Sequence, residues 1–111
     1  MGKSEYEAKC AACHGMDARG GGTLQPHLVS EPSDLTTLSQ RYGGAFPTEM
    51  VWETIDGRAT MAMGPHGARE MPLWGATYRM QAVAQHAPAP EWYVREKIVA
   101  LLDYLASIQQ R

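Results

Sequence analysis

From Glu91 to the end of the chain, Val94, Ile98, Leu101, Leu102, Leu105 and Ile108 recur at spacings of three and four. An α-helix gathers such positions on one face, so this stretch predicts an amphipathic helix with that face turned inward. No other segment is as clear. Ser4-Glu5-Tyr6-Glu7 has the form of a capping box with Ser4 as N-cap, and predicts a helix running to about Cys13 and stopping near Gly15. Ser33 or Asp34 can cap a short helix through Leu35, Leu38 and Tyr42, closed by Gly43-Gly44. Thr48 can cap another through Val51, Trp52 and Ile55 to Gly57. Residues 76–87 carry a weaker helical signal, and Pro88-Ala89-Pro90 separates it from the last helix.

Between these segments the pattern lapses. Gly20-Gly21-Gly22 and Pro26 mark a loop, and from Arg58 to about Gly75 no period is sustained, with turns at Gly64-Pro65-His66-Gly67. No strand alternation, repeat or linker breaks the chain. The expectation is one all-α domain over residues 1–111, with four to five short helices and long loops. Loops this long in a small domain usually wrap something. Composition agrees: Leu, Ile, Val and Phe are sparse while Gly (11), Met (7) and Pro (7) are plentiful. A chain of this length buries only roughly two-thirds of its unfolded surface, so its core is marginal and has room for an apolar group at the centre.

Charge changes the picture little. The formal net charge is −2 with both signs mixed along the chain, and no Lys/Arg cluster suggests a nucleic-acid partner. No apolar run approaches the ~20 residues of a membrane span. The chain opens directly into a helix signal without a signal peptide, as a mature or truncated chain would.

The candidate chemistry lies in Cys10-Ala11-Ala12-Cys13-His14. Cys-x-x-Cys-His is the attachment signature of c-type haem. Two cysteines three apart on one helical turn present both sulfurs to the same side, where they can reach two vinyl groups of a haem lying across the turn. The next residue, His14, then points its imidazole at the iron, and its second ring nitrogen needs an acceptor to fix the tautomer. Three other readings compete. A structural zinc site needs four ligands, which His27, His66 and His86 would have to complete. A thioredoxin-like pair expects a βαβ context that the pattern lacks. A plain disulfide explains neither His14 nor the loop-rich remainder.

With that motif the chain resembles the class I cytochrome c family nearly end to end. Gly2 and Tyr6 stand eight and four residues before Cys10, and Leu101, Tyr104 and Leu105 stand in the last helix, as in that family. Pro26-His27-Leu28 lies twelve residues past His14. The resemblance implies a cytochrome c fold whose last helix packs on the first, one covalently bound haem c with its iron, and a Pro26 carbonyl accepting from the His14 imidazole. Met71-Pro72-Leu73-Trp74-Gly75 resembles the Met-Pro ligand loop of bacterial members, which makes Met71 the expected sixth ligand beside His14. Met61 and Met63 are the rivals, and among histidines His66, His86 and His27. Arg58 is a candidate partner for a haem propionate, with Arg41 and Arg69 as weaker versions. Trp74 is a candidate haem wall; Trp52 reads as core packing, and Tyr42 and Phe46 as loop anchors or haem-edge residues.

Filling both axial positions leaves the iron only its change of oxidation state, which is electron transfer. The resemblance therefore implies a periplasmic electron carrier that is not itself an enzyme. It would take electrons from a redox protein such as a periplasmic dehydrogenase of the sulfite-oxidising kind and pass them to an acceptor such as a terminal oxidase. The alternative is a haem enzyme or gas sensor with an open sixth position. A third possibility is one domain cut from a larger oxidoreductase. Residues 76–90 exceed what a minimal bacterial member needs, and the lysine ring common around the haem edge is absent: only Lys3, Lys9 and Lys97 occur.

Overall fold

The structure, a computed structural model, describes residues 1–28, 32–58 and 71–110. Met61, Met63, His66 and Arg69 lie outside the described residues. All the regular structure within them is helical: α1 (Gly2–Lys9), α2 (Ala11–His14), α3 (Leu38–Arg41), α4 (Thr48–Asp56), α5 (Trp74–Ala84) and α6 (Pro90–Ser107), with 3-10 turns at Gln25–His27 and Leu35–Thr37. The chain divides into two units, Met1–Pro47 with Ala100–Arg111 and Thr48–Val99.

In the first unit α1 crosses the C-terminal half of α6 at close range. A Cβ on Gly2 would collide with the Ala100 carbonyl oxygen and come within 3.0 Å of the Tyr104 Cβ, so only glycine fits this crossing. One turn on, the Tyr6 and Tyr104 rings meet at 5.3 Å between centroids, tilted by 42°. Tyr6, Ala18 and Leu101 are wholly buried, with Leu38, Leu102 and Leu105 close behind. The tail after α6 then ties down the middle of the chain. The Gln109 side chain accepts from the Ser39 N–H at 2.9 Å and donates to the Leu35 carbonyl at 2.6 Å. The Gln110 N–H donates to the Thr36 carbonyl at 2.7 Å.

The second unit packs α4 on α5, with the N-terminal half of α6 completing it. Val51 and Ile55, Tyr78 and Ala82, and Val94 and Ile98 are its buried apolar side chains among the described residues, each pair four apart on its own helix. That is the i, i+4 stripe of an amphipathic helix. α5 ends in a Schellman turn. His86 takes the left-handed φ of 56°, its N–H donates to Val83 at 3.0 Å, and the Ala87 N–H donates to Ala82 at 2.9 Å.

The final helix and the close packing of first on last are as the sequence and its resemblance imply. Three details differ. The first helix is interrupted at Cys10, whose φ of −112° bends the chain between α1 and α2. Ser4 is not an N-cap: the helix begins at Gly2, and the Ser4 hydroxyl donates to the Met1 carbonyl at 2.9 Å from inside the first turn. Thr48 likewise lies inside α4 rather than before it. Asp34, of the two candidates, caps the middle segment, accepting from the Thr36 N–H at 2.8 Å. The weakly signalled 76–87 segment is a full helix beginning at Trp74.

Candidate functional site

A four-residue helix leaves all its C-terminal carbonyls to find partners elsewhere. For α2 the following loop supplies them. Gly15 donates to Ala11 at 2.8 Å, Leu24 to Ala12 at 2.8 Å, Gly22 to Cys13 at 3.1 Å and Gly20 to His14 at 2.7 Å. Gly22 lies so close that a Cβ would strike both the Ala11 and Ala12 carbonyl oxygens. From the other side the buried Tyr6 hydroxyl donates to the Gly15 carbonyl at 2.6 Å. The Cys-x-x-Cys-His turn is thus held by its backbone on every side, which fixes where its three side chains point.

Both cysteines are free thiols, Cys10 buried and Cys13 half-buried. Desolvation, then the charges of Glu5 and Cys13, pushes the Cys10 thiol up to about 12, so it stays protonated. The His14 Nδ1 stands 3.2 Å from the Ser33 carbonyl oxygen. With the proton on Nδ1 this is a donor bond, and it leaves the Nε2 lone pair for a metal. Burial lowers the imidazole pKa and the Ser33 bond opposes it, so the ring is neutral at physiological pH. Two thiols on one turn with a neutral, oriented imidazole next to them suit a covalently attached haem. Among the described residues no three His, Cys, Asp or Glu side chains cluster as a closed zinc site would require.

The acceptor of the imidazole proton is Ser33, not Pro26. Pro26 is an exposed residue of the Gln25–His27 turn, where its fixed φ starts the turn. Sequence offset alone pointed to Pro26; nothing in the sequence pointed to Ser33.

The remaining candidates lie in the second unit. Met71 is half-buried, three residues before the start of α5. Trp74 is the first residue of that helix, its ring 6.3 Å from Tyr78. Arg58 is engaged within the chain: Nε donates to Asp56 at 2.8 Å, and the two Nη atoms donate to the Glu91 carboxylate at 2.9 and 3.0 Å. Arg79 reaches the same carboxylate at 3.1 Å. Arg58's hydrogen bonds hold the Glu91 carboxyl below its usual range. The guanidinium that the sequence offered to a propionate is therefore a structural tie. Trp52, half-buried, lines a cleft of about 270 Å³ with Arg58, Glu91, Trp92, Val94 and Arg95 rather than packing into the core. Tyr42 is half-exposed and Phe46 half-buried.

An all-helical chain whose first and last helices cross at a glycine, with Cys-x-x-Cys-His on the turn between α1 and the following loop, is a c-type cytochrome. A family model described as cytochrome C oxidase, cbb3-type, subunit III matches residues 1–87, and the chain belongs to that family. No curated protein and no solved structure matches it. Membership carries covalently bound haem c with its iron, and electron transfer through that haem with redox-protein partners. No helix among the described residues is long and apolar enough to cross a membrane.

Proposed function

We propose that this chain is a monohaem electron carrier over a single domain, residues 1–111, with haem attached through Cys10 and Cys13, His14 as one axial ligand and Met71 as the other. The observation that carries the reading is the His14 imidazole, held neutral and turned by Ser33 at 3.2 Å so that Nε2 is the free nitrogen. When bound, haem supplies a single electron site that alternates between ferric and ferrous iron.

The chain's residues set the terms of that exchange. Cys10 and Cys13 would hold the haem through thioether bonds, each formed by S–H addition across a vinyl group, which needs no oxidant. The Ser33 carbonyl keeps the Nδ1 proton in place and raises the basicity of Nε2. A soft, neutral thioether from Met71 favours the ferrous form and raises the potential relative to a second imidazole. Pro72 removes a backbone donor and fixes φ directly after it. Trp74, at the start of α5, would serve as a wall for the haem. Pro26, at its family offset, borders the proximal side. Arg58 serves the site through its ties to Asp56 and Glu91.

The compartment is the periplasm, because haem c is attached outside the cytoplasm. The acceptor is a terminal oxidase, in keeping with the oxidase subunit in the family's description. The donor is a periplasmic dehydrogenase. The Asp56-Gly57-Arg58 and His66-Gly67 to Met71-Pro72-x-Trp74-Gly75 arrangement resembles bacterial cytochromes that serve periplasmic dehydrogenases, of which sulfite dehydrogenases are one class.

The test is an absorption spectrum of the haem-matured protein, oxidised and reduced, with CO then added. A low-spin spectrum with a near-infrared Met-to-iron band, unchanged by CO, is expected. High-spin character or prompt CO binding would instead establish a haem enzyme or gas sensor. Replacing Cys10 and Cys13 together by Ala should leave no haem attached after denaturation and organic extraction, and haem that persisted would refute the attachment.

A further inference from the structure

Between Arg58 and Gly75 the chain leaves the end of α4 and returns to the start of α5, and these two ends touch. A Cβ on Gly75 would run into the Asp56 carboxylate, and it would stand 2.8 Å from the Arg58 Nε. Asp56 therefore sits against the first turn of α5. That helix has no side-chain cap of its own, since Leu73 occupies the N-cap position. A carboxylate there meets the positive end of the helix dipole. Arg58 holds Asp56 in place at 2.8 Å, and Glu91, in the first turn of α6, holds Arg58 through both Nη atoms. Arg79, from α5 itself, grips Glu91 at 3.1 Å. The Asp56 side chain is only 15% exposed, so this end of the network is sheltered from solvent screening.

Met71 lies four residues before the pinned glycine. The helical ladder of α5 starts with Thr77 donating to Leu73 at 3.1 Å, so from Leu73 onward the backbone is held. Only Pro72, with its fixed φ, separates that held backbone from Met71. We propose that the Asp56–Arg58–Glu91 ion-pair chain positions the Met71 thioether: by fixing the start of α5 it sets how firmly the sixth iron position stays closed. The inference rests on the reading of Met71 as the sixth ligand. Arg58, Asp56 and Glu91 are positioning residues, acting through the backbone rather than on the haem.

The experiment is titration of ferric holoprotein with imidazole, which competes for the sixth position. A less firmly held thioether raises the fraction of molecules open to imidazole, and apparent affinity rises in proportion. Arg58→Lys, which cannot make the paired bond to Glu91, and Gly75→Ala, which displaces Asp56, should each raise imidazole affinity on the order of tenfold. Both should weaken the near-infrared Met-to-iron band while leaving covalent haem content unchanged. Glu91→Gln should fall between these and the unaltered protein, and it carries the test with Arg58→Lys if Gly75→Ala does not fold. Arg95→Gln, outside the chain of ion pairs, should change nothing. Met71→Ala sets the upper limit. If Met71→Ala binds imidazole no better than the unaltered protein, Met71 is not the ligand and the inference falls with it. If Met71→Ala binds better but Arg58→Lys and Gly75→Ala do not, Met71 stands and the positioning role is overturned. A lower melting temperature with unmoved imidazole affinity overturns it equally.

Discussion

The Tyr6 hydroxyl sits where a phenylalanine would pack as well but could not donate. Its ring stacks on Tyr104, and its oxygen reaches the Gly15 carbonyl at 2.6 Å, one residue past His14. Burial, with the nearby Cys10, raises its pKa well beyond the ordinary tyrosine range, so it is a donor at neutral pH. Tyr6→Phe removes that donor and leaves the Gly15 carbonyl with only its bond from the Ala18 N–H at 3.1 Å, which costs about 0.5–1.5 kcal/mol. The expected result is a lower denaturation midpoint at unchanged m-value, with haem attachment retained. An unchanged midpoint would mean that the Ala18 N–H alone satisfies the carbonyl. The family resemblance pointed to an aromatic at this position, but the bond to Gly15 could not be read from sequence because it depends on the turn geometry. Ser33 was hidden for the same reason: a backbone carbonyl can serve from any residue type, so no side chain announces it.

At the scale of elements, Asp34 governs the segment that begins at Leu35. Its carboxylate accepts from the Thr36 N–H at 2.8 Å and the Thr36 hydroxyl at 2.6 Å. Those two bonds, aided by Arg19 and Arg41, hold the Asp34 carboxyl below its usual range. A carboxyl depressed in the fold stabilises above its unfolded value of about 3.9, and that stability is lost as pH falls through the folded value. Asp34→Ala should therefore cost about 1 kcal/mol near neutrality. The difference should shrink as denaturation is repeated below about pH 4. A constant difference across that range would show that the cap acts by shape rather than charge. This cap was legible because Asp before a helical period is a local signal. α6 was legible for the same reason: Val94, Ile98, Leu101, Leu102 and Leu105 keep one buried face, while Ile108 falls just past the helix end at Ser107. The capping box at Ser4 misled because Gly2 and Lys3 were free to extend the helix backward, a choice made by the contact of Gly2 with Ala100 across the chain. α5 was only half legible: its buried residues are Gly75, Tyr78 and Ala82, two of them too small to register as an apolar stripe. The tie from Arg58 to Glu91 spans thirty-three positions. Opposite charges that far apart in sequence match many candidates equally well, which is why Arg58 invited a propionate instead.

For the molecule as a whole, charge decides how a redox partner is met. The net charge is −2 before the carboxylates of a haem are added, and Lys3, Lys9 and Lys97 are the only lysines. Lys97 lies over the Tyr93 ring at 5.4 Å, and Arg58 and Arg79 are spent on Glu91. Positive charge is thus too thinly spread to steer an acidic partner from a distance. Large apolar side chains are exposed instead, Met16 and Leu24 in the first unit and Met80 and Trp92 in the second. Steered association falls steeply as salt shortens the Debye length from about 30 Å at 0.01 M to about 8 Å at 0.15 M. Docking by apolar contact does not. The bimolecular rate of electron exchange with its acceptor should accordingly change by less than about threefold over that range, measured by stopped-flow absorbance of the haem. A fall of a hundredfold would mean that the acceptor reads a charged face of this chain, and charge reversals at Arg19, Arg41 and Arg95 would then locate it. A flat profile would leave recognition to shape and apolar area, and Met16→Lys and Trp92→Lys would separate the two exposed regions by which one slows the exchange.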